Sequence, residues 1–456
     1  MSGAVSRSTT HSRRQSLASA TVITYATQLT VACLSLANVL ITARYLGPSG
    51  RGNVAFLTVI AWVLASLASA GVEESNANLA ASEPHLRRSL ATNSIVLAVL
   101  LGSLAATIMA GLIQIFPAIA GDSSPELLAL TLASLPILIL GLYMRWFVRA
   151  DYAFAVTNVA LLAVPLGNVA VNGLLALLGL LTVGTAVATW IAGQAAATMI
   201  LVWYVAGRLA GYGRPDLRLM GRALRFGLKT QAGRVMLLGN FRLDQWLVGA
   251  ISGARELGLY SIAVAWAEAL FLLPTALKFV QRPDLVRSKR KEAGRHAAAA
   301  FRAATLVTAV LAIGIFVAAP FLCVTLFGEE FQGSIVELRV LVIGGFGVVA
   351  LTVFGNDLVA KGQPVLSSIA LGAGFICTIC FDVILIPPYA GLGAAVASTL
   401  AYTAAGVVMG TFFVRALDAK VSDLVPRGGE VRWLVSKARS FRRVPETKPE
   451  GTVVDP

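Results

Sequence analysis

No charged residue occurs between Asp151 and Arg208. A soluble domain carries about 25% charged residues, so a run of that length does not belong on a wet surface. A bilayer core takes about 20 apolar residues per helix, and the run is long enough to cross twice. The rest of the chain agrees. Its 456 residues are 57% hydrophobic and 13% charged, with a mean hydropathy of +0.77.

Irregular backbone cannot face lipid, so each apolar stretch reads as a helix. Twelve candidate spans follow, at 19–43, 53–76, 91–115, 127–147, 152–178, 182–207, 228–250, 257–280, 298–326, 336–360, 365–386 and 391–415. Pro136, Pro165, Pro274 and Pro320 lie inside spans and predict kinks. With the N-terminus placed inside, inward segments hold 31 of the 37 lysines and arginines and outward ones four: Arg44, Arg51, Arg255 and Arg339. That bias follows the positive-inside rule and places both termini in the cytoplasm. Arg13 and Arg14 precede an apolar run too long for a signal peptide, so a retained first helix is expected.

A polar, basic segment at 208–227 divides the chain. The expected organisation is an N-terminal tail (1–18), a first six-helix lobe (19–207), this linker, a second lobe (228–416) and a basic cytoplasmic tail (417–456). The glycines of "RYLGPSGRG", Gly47 and Gly52, recur at the same offset as Gly253 and Gly258 in "AISGARELG". Each stretch follows the first span of its half and reads as a tight turn. Two lobes related as parallel repeats, by a pseudo-twofold axis along the membrane normal, explain the echo. The fold class is thus an all-α polytopic membrane protein.

The net charge of +14 sits in connecting segments, which suits anionic headgroups and not nucleic acid, for which no basic aromatic-bearing module is present. In the tail, Val431, Leu434, Val435, Ala438 and Phe441 form one helical stripe, consistent with an amphipathic helix on anionic inner-leaflet lipids; a disordered basic tail reads equally well. Cys377 and Cys380 form a C-x-x-C within an apolar span, without His or a second pair, so they read as packing residues and not as a metal or redox site. No catalytic motif, Walker A sequence or cofactor signature occurs. Any energy the chain uses must therefore come from gradients or from a downhill substrate.

The informative residues are ionisable ones inside spans. An arginine at a helix centre costs about 2.5–3.5 kcal/mol on insertion scales. Arg234 and Arg242 share the seventh span, about 12 Å apart along its axis, with Lys229 and Gln231 toward the inside. They suit a cationic patch for a phosphate or diphosphate, because the planar guanidinium binds such oxygens bidentately. The alternative is pairing, of Arg242 with Glu268 or Asp244. Glu268 reads equally as an ion pair or as a proton or sodium coupling site. Asp357 and Asp382 lie near span ends and read as caps or interface residues. Glu73 and Glu74, with Asn76 and Asn78, read as a solvated helix end. Gln28 and Tyr25 occupy the repeat positions of Arg234 and Gln231 and could line the opposite cavity wall.

"ARYLGPSGRG", "NFRLDQWLVGAISGARELGLYSIAVAWAEALFLLP", "LFGEEFQGSIVELRVL" and "PPYAGLGAAVAST", in that order, resemble polysaccharide-biosynthesis flippases. These are the O-antigen-flippase-like branch of the multidrug/oligosaccharidyl-lipid/polysaccharide exporter superfamily. The resemblance implies two six-helix lobes around a central cavity that rock between two access states. It implies a flippase, not an enzyme, that carries a polyprenyl-diphosphate-linked oligosaccharide from the inner to the outer leaflet of the plasma membrane. Arg234 and Arg242 match positions expected to meet the diphosphate, and Asp244 matches a Leu-Asp-Gln pattern of structural role. Glycosyltransferases and a polymerase are the implied partners. The Glu73/Glu74 pair and a first span without charge depart from the family pattern. A cation-coupled multidrug antiporter and a transport-inactive scaffold for glycan-assembly enzymes are the competing readings.

Overall fold

The computed structural model describes residues 3–209, 211–270 and 290–425, with side chains from residue 23 onward and, after the second break, from 294. Among the described residues every regular element is helical, as hydrogen bonding in hydrocarbon demands. The main helices are α1 (Gly3–Ala68), α2 (Val72–Ser82), α3 (Arg87–Ile115), α4 (Pro125–Ala133), α5 (Leu135–Ala150), α6 (Phe154–Leu177) and α7 (Val183–Tyr204) in the first half. The second half holds α8 (Leu217–Ile251), α9 (Gly253–Ala269), α10 (Arg290–Pro320), α11 (Ser334–Ala360) and α12 (Pro364–Leu417). Among the described residues, eight stretches are long and apolar enough to cross a membrane. The expected spans fall on these helices or their limbs, the eighth only in part, because 271–280 lie outside the described residues. Pro274 and the amphipathic stripe at 431–441 lie outside them too.

Two helices are bent by a single residue. Gly47 (φ 67°, ψ −177°) breaks α1 and Ala390 (φ 48°, ψ −127°) breaks α12. The expected turn at 44–52 is therefore one left-handed residue with helix on both sides, a conformation that glycine adopts freely. The first limb of α1 runs beside α6: Asn158 Nδ2 donates to Thr24 Oγ1 (3.3 Å), and farther along Asn172 Nδ2 donates to Asn38 Oδ1 (2.8 Å). The second limb returns to the start of α8. The span expected to reach residue 76 ends at Ala68, and α2 begins after Gly71, whose φ is 69°. The broken fourth span has its own cause: Pro136 lies in the first turn of α5, after the Ser134 break.

The end of the molecule bearing residues 211–216 is termed the linker side and the end bearing Gly47 the far side. On the far side the two echo sequences pack on each other. A Cβ on Gly52 would lie 1.6 Å from the Ala254 carbonyl oxygen, and one on Gly258 would lie 1.9 Å from that of Pro48. The offset of 206 residues that takes Gly52 to Gly258 also takes Pro48 to Ala254, so the contact is reciprocal. Acidic side chains flank it in the same reciprocal way. Asp122 Oδ2 accepts from the Ala254 N–H at the start of α9 (2.8 Å), and a Cβ on Gly47 would meet Glu330 Oε2 at 3.2 Å. Arg44 adds hydrogen bonds to the carbonyls of Leu326 (2.6 Å) and Thr325 (2.7 Å). Beneath this joint one apolar cluster spans both halves, with Phe56 and Ile60 against Val248, Leu257 and Tyr260.

Candidate functional site

The first half encloses a cavity of about 350 Å³. Its walls come from both limbs of α1 (Val31, Asn38, Arg51, Thr58, Trp62), from α5 (Arg145), from α6 (Pro165, Asn168) and from α7 (Trp190, Gln194). Arg51 Nε, Arg145 Nε and Asn168 Oδ1 are buried and have no hydrogen-bond partner. A smaller space beside it also touches Trp62, Arg145 and Gln194. Arg51 and Trp62 are eleven residues apart on one helical limb, about 16 Å at 1.5 Å per residue, and Arg145 stands by Trp62. The cavity is thus long, cationic at two depths and lined between them by amides and indoles. A buried guanidinium nitrogen without a partner is costly, and an anion is the natural occupant of such a site.

The sequence places Arg51 in an outward turn and Arg145 among the inward charges. For Arg145 a signal is present. Arg145 falls inside the candidate span 127–147, as Arg234 falls inside its own. Asn158, Asn168 and Asn172 form a polar stripe in the otherwise charge-free run, at the helical spacing that turns them toward α1.

The residues singled out from sequence lie elsewhere. Arg234 pairs with Glu73 of the other half, and Glu73 is fully buried. The solvated helix end expected there is instead a core contact, because Gly71 turns the chain back under the bundle. Gln231 is buried and donates through Nε2 to the carbonyls of Ser66 (2.8 Å) and Leu67 (3.1 Å). Arg242 Nη1 pairs with Glu268 Oε1 at 2.6 Å. Lys229 is exposed, and Gln28 is half-buried; neither lines the described cavity. Outside the apolar stretches, Arg222 hydrogen-bonds Glu83 and holds its carboxyl below the usual carboxylate range.

The second half carries the opposite charge. Asp244 is buried and accepts three hydrogen bonds: Tyr260 OH (2.6 Å) and Ser398 Oγ (3.0 Å) on Oδ2, and the Gln245 N–H (2.7 Å) on Oδ1. Asp382, expected to be a cap or interface residue, is fully buried with neither oxygen partnered. It lies close enough to Asp244 for the two charges to interact. Arg242 lies within electrostatic range of Asp244, but neither oxygen of Asp382 is hydrogen-bonded, and a buried carboxylate in that state asks for a proton or a monovalent cation.

Over residues 41–337 the sequence matches the family described as polysaccharide biosynthesis protein. The chain belongs to that family. No curated protein matches it. Among solved structures it is similar to the lipid II flippase MurJ in an inward closed conformation, with TM-score 0.71 and 14% identity over 94% of each chain. It is also similar to a MATE-family multidrug transporter of the MOP superfamily in an inward-facing conformation, with TM-score 0.70 and 15% identity over 85% of this chain and 94% of that one. A MATE transporter in an outward-facing conformation gives TM-score 0.61 and 15% identity, over 87% of this chain and 94% of that one. At these identities the likeness establishes the fold: that of MOP-superfamily transporters, with long apolar helices suited to several membrane crossings.

Proposed function

We propose that this member of the family is a flippase that moves a polyprenyl-diphosphate-linked oligosaccharide from the cytoplasmic to the outer leaflet of the plasma membrane, for cell-surface polysaccharide synthesis. The observation that carries this reading is the pair of buried, unpartnered guanidinium nitrogens of Arg51 and Arg145 in one elongated cavity. A multiply charged headgroup has the sign and the bidentate oxygens that guanidinium recognises, while amides and indoles suit the attached sugar. Cationic drugs are repelled by the same walls, which disfavours a multidrug antiporter.

In this reading the linker side faces the cytoplasm, as do both termini, and the basic tail rests on anionic lipid. Glycosyltransferases and a polymerase supply and consume the glycan. The Asp244–Asp382 pair is a reason to add coupling: a cation or proton bound there biases the halves between two states. The test is translocation of a defined polyprenyl-diphosphate sugar in proteoliposomes, with and without a proton or sodium gradient. Transport that depends on Arg145 is the expected result. Wild-type vesicles that leave the glycan on its original leaflet refute the reading.

A further inference from the structure

Helix α8 changes allegiance along its length. Its first turns pack into the first half through Leu219, Met220 and Ala223. Its later turns belong to the second half, where Asn240 donates to the Leu371 carbonyl (3.1 Å) and accepts from Thr378 Oγ1 (3.0 Å). Gln231 and Arg234 lie between these regions and make polar contacts with the first half. Gln231 adds a donor to the last carbonyls of α1, that of Ser66 also accepting from Ser69 Oγ (2.9 Å) and that of Leu67 from the Ala70 N–H (3.4 Å). One turn on, Arg234 meets the buried Glu73. Ser69 Oγ donates to the same Glu73 oxygen at 3.2 Å, and Tyr143 OH donates to the Ser69 carbonyl at 2.8 Å. Glu73 Oε2 has no partner, so the carboxylate is held from one side only. Backbone closes the seam beneath: a Cβ on Gly227 would lie 2.4 Å from the Ala70 carbonyl oxygen.

A buried ion pair fixes a geometry more than it stabilises one. This one joins the two halves at the linker-side end of the seam that also borders the cavity, since Ala65 and Arg145 share the smaller space there. We infer that the Glu73–Arg234 pair is a latch closing the linker-side seam, and that a diphosphate entering from that side releases it by competing with Glu73 for the Arg234 guanidinium. The ligand in this statement rests on the flippase reading. A diphosphate outcompetes a one-sided carboxylate because it brings more charge and presents two oxygens to the guanidinium fork. Without ligand the latch stays shut, and the cavity does not leak.

The experiment places spin labels on Ser82→Cys and Val421→Cys, one exposed site in each half, in a background where Cys33, Cys323, Cys377 and Cys380 are replaced by serine. Distances are read by pulsed electron resonance on the full chain in nanodiscs. The wild type should give one short distance alone and a second, longer one with millimolar inorganic pyrophosphate. Glu73→Gln should show the longer distance without pyrophosphate. The exchanged pair, Glu73→Arg with Arg234→Glu, should restore the short distance and so exclude misfolding as the cause. An unchanged distance in Glu73→Gln, or a wild type indifferent to pyrophosphate, overturns the latch. A protein that opens with pyrophosphate yet moves no lipid-linked glycan overturns the flippase reading and leaves the latch standing.

Discussion

The two halves share a framework and differ in what they leave unpaired. In the first, the buried groups without partners include the guanidinium nitrogens of Arg51 and Arg145 and an amide oxygen of Asn168. In the second they include both carboxylate oxygens of Asp382 and of Asp357. The repeat offset carries Arg51 to Leu257, Arg145 to Leu351, Asn38 to Asp244 and Ala176 to Asp382, so at these positions one half is apolar or neutral where the other is charged. The joint is shared and the interiors differ. Opposite unpaired charges in two halves that meet at a common joint are what a carrier needs to read an anion in one place and a cation in the other.

The strongest way to break this contrast is to invert the cationic half. Arg145→Glu should lower translocation roughly 100-fold, since removing a buried charge-assisted contact costs about 2–5 kcal/mol. The protein should still reach the membrane with an unchanged elution profile. Normal transport in that variant sinks the anion site. Next is the acidic half. Asp382→Asn should abolish stimulation by an ion gradient, about a tenfold effect or 1.4 kcal/mol, while pyrophosphate binding to the first half stays as in the wild type. Loss of both together would mean that the halves are not divided in this way.

A smaller effect tests the shared framework. Gly258→Ala places a methyl group against the Pro48 carbonyl, and overpacking of this kind costs about 1–3 kcal/mol. The melting temperature should fall, and thiol reagents should reach a cysteine introduced beside the cavity from the far side. The smallest effect belongs to Arg242 and Glu268. Their side chains are 34% and 37% exposed, so water screens the pair. A double-mutant cycle with Arg242→Gln and Glu268→Gln should return about 1 kcal/mol or less. A larger coupling would place this pair among the functional groups of the second half.

Much of the framework was legible in the sequence. Apolar runs without charge dictate helices, and the glycine echo marked the very joint at which Gly52 and Gly258 cross. The site was less legible, for a physical reason. An arginine within a span announces a cost but not who meets it. Arg242 finds Glu268, the carboxylate that the next span offers at similar depth, whereas Arg234 finds Glu73, far away in sequence, where a span end looks solvated. Arg51 looked like part of a wet turn because a nine-residue stretch with three glycines suggests a loop. Only the single-residue bend at Gly47 leaves Arg51 on a helical limb facing inward.

The reciprocal crossing of Gly52 on Ala254 and Gly258 on Pro48 has the form of an isologous contact, in which one patch meets a copy of itself across a twofold axis. Such a patch is a dimer interface carried within a single chain. Two separate polypeptides, each equivalent to one half, would meet at this joint in the same way. Expressed apart, the two halves of this protein are the pieces to ask whether the interface assembles by itself.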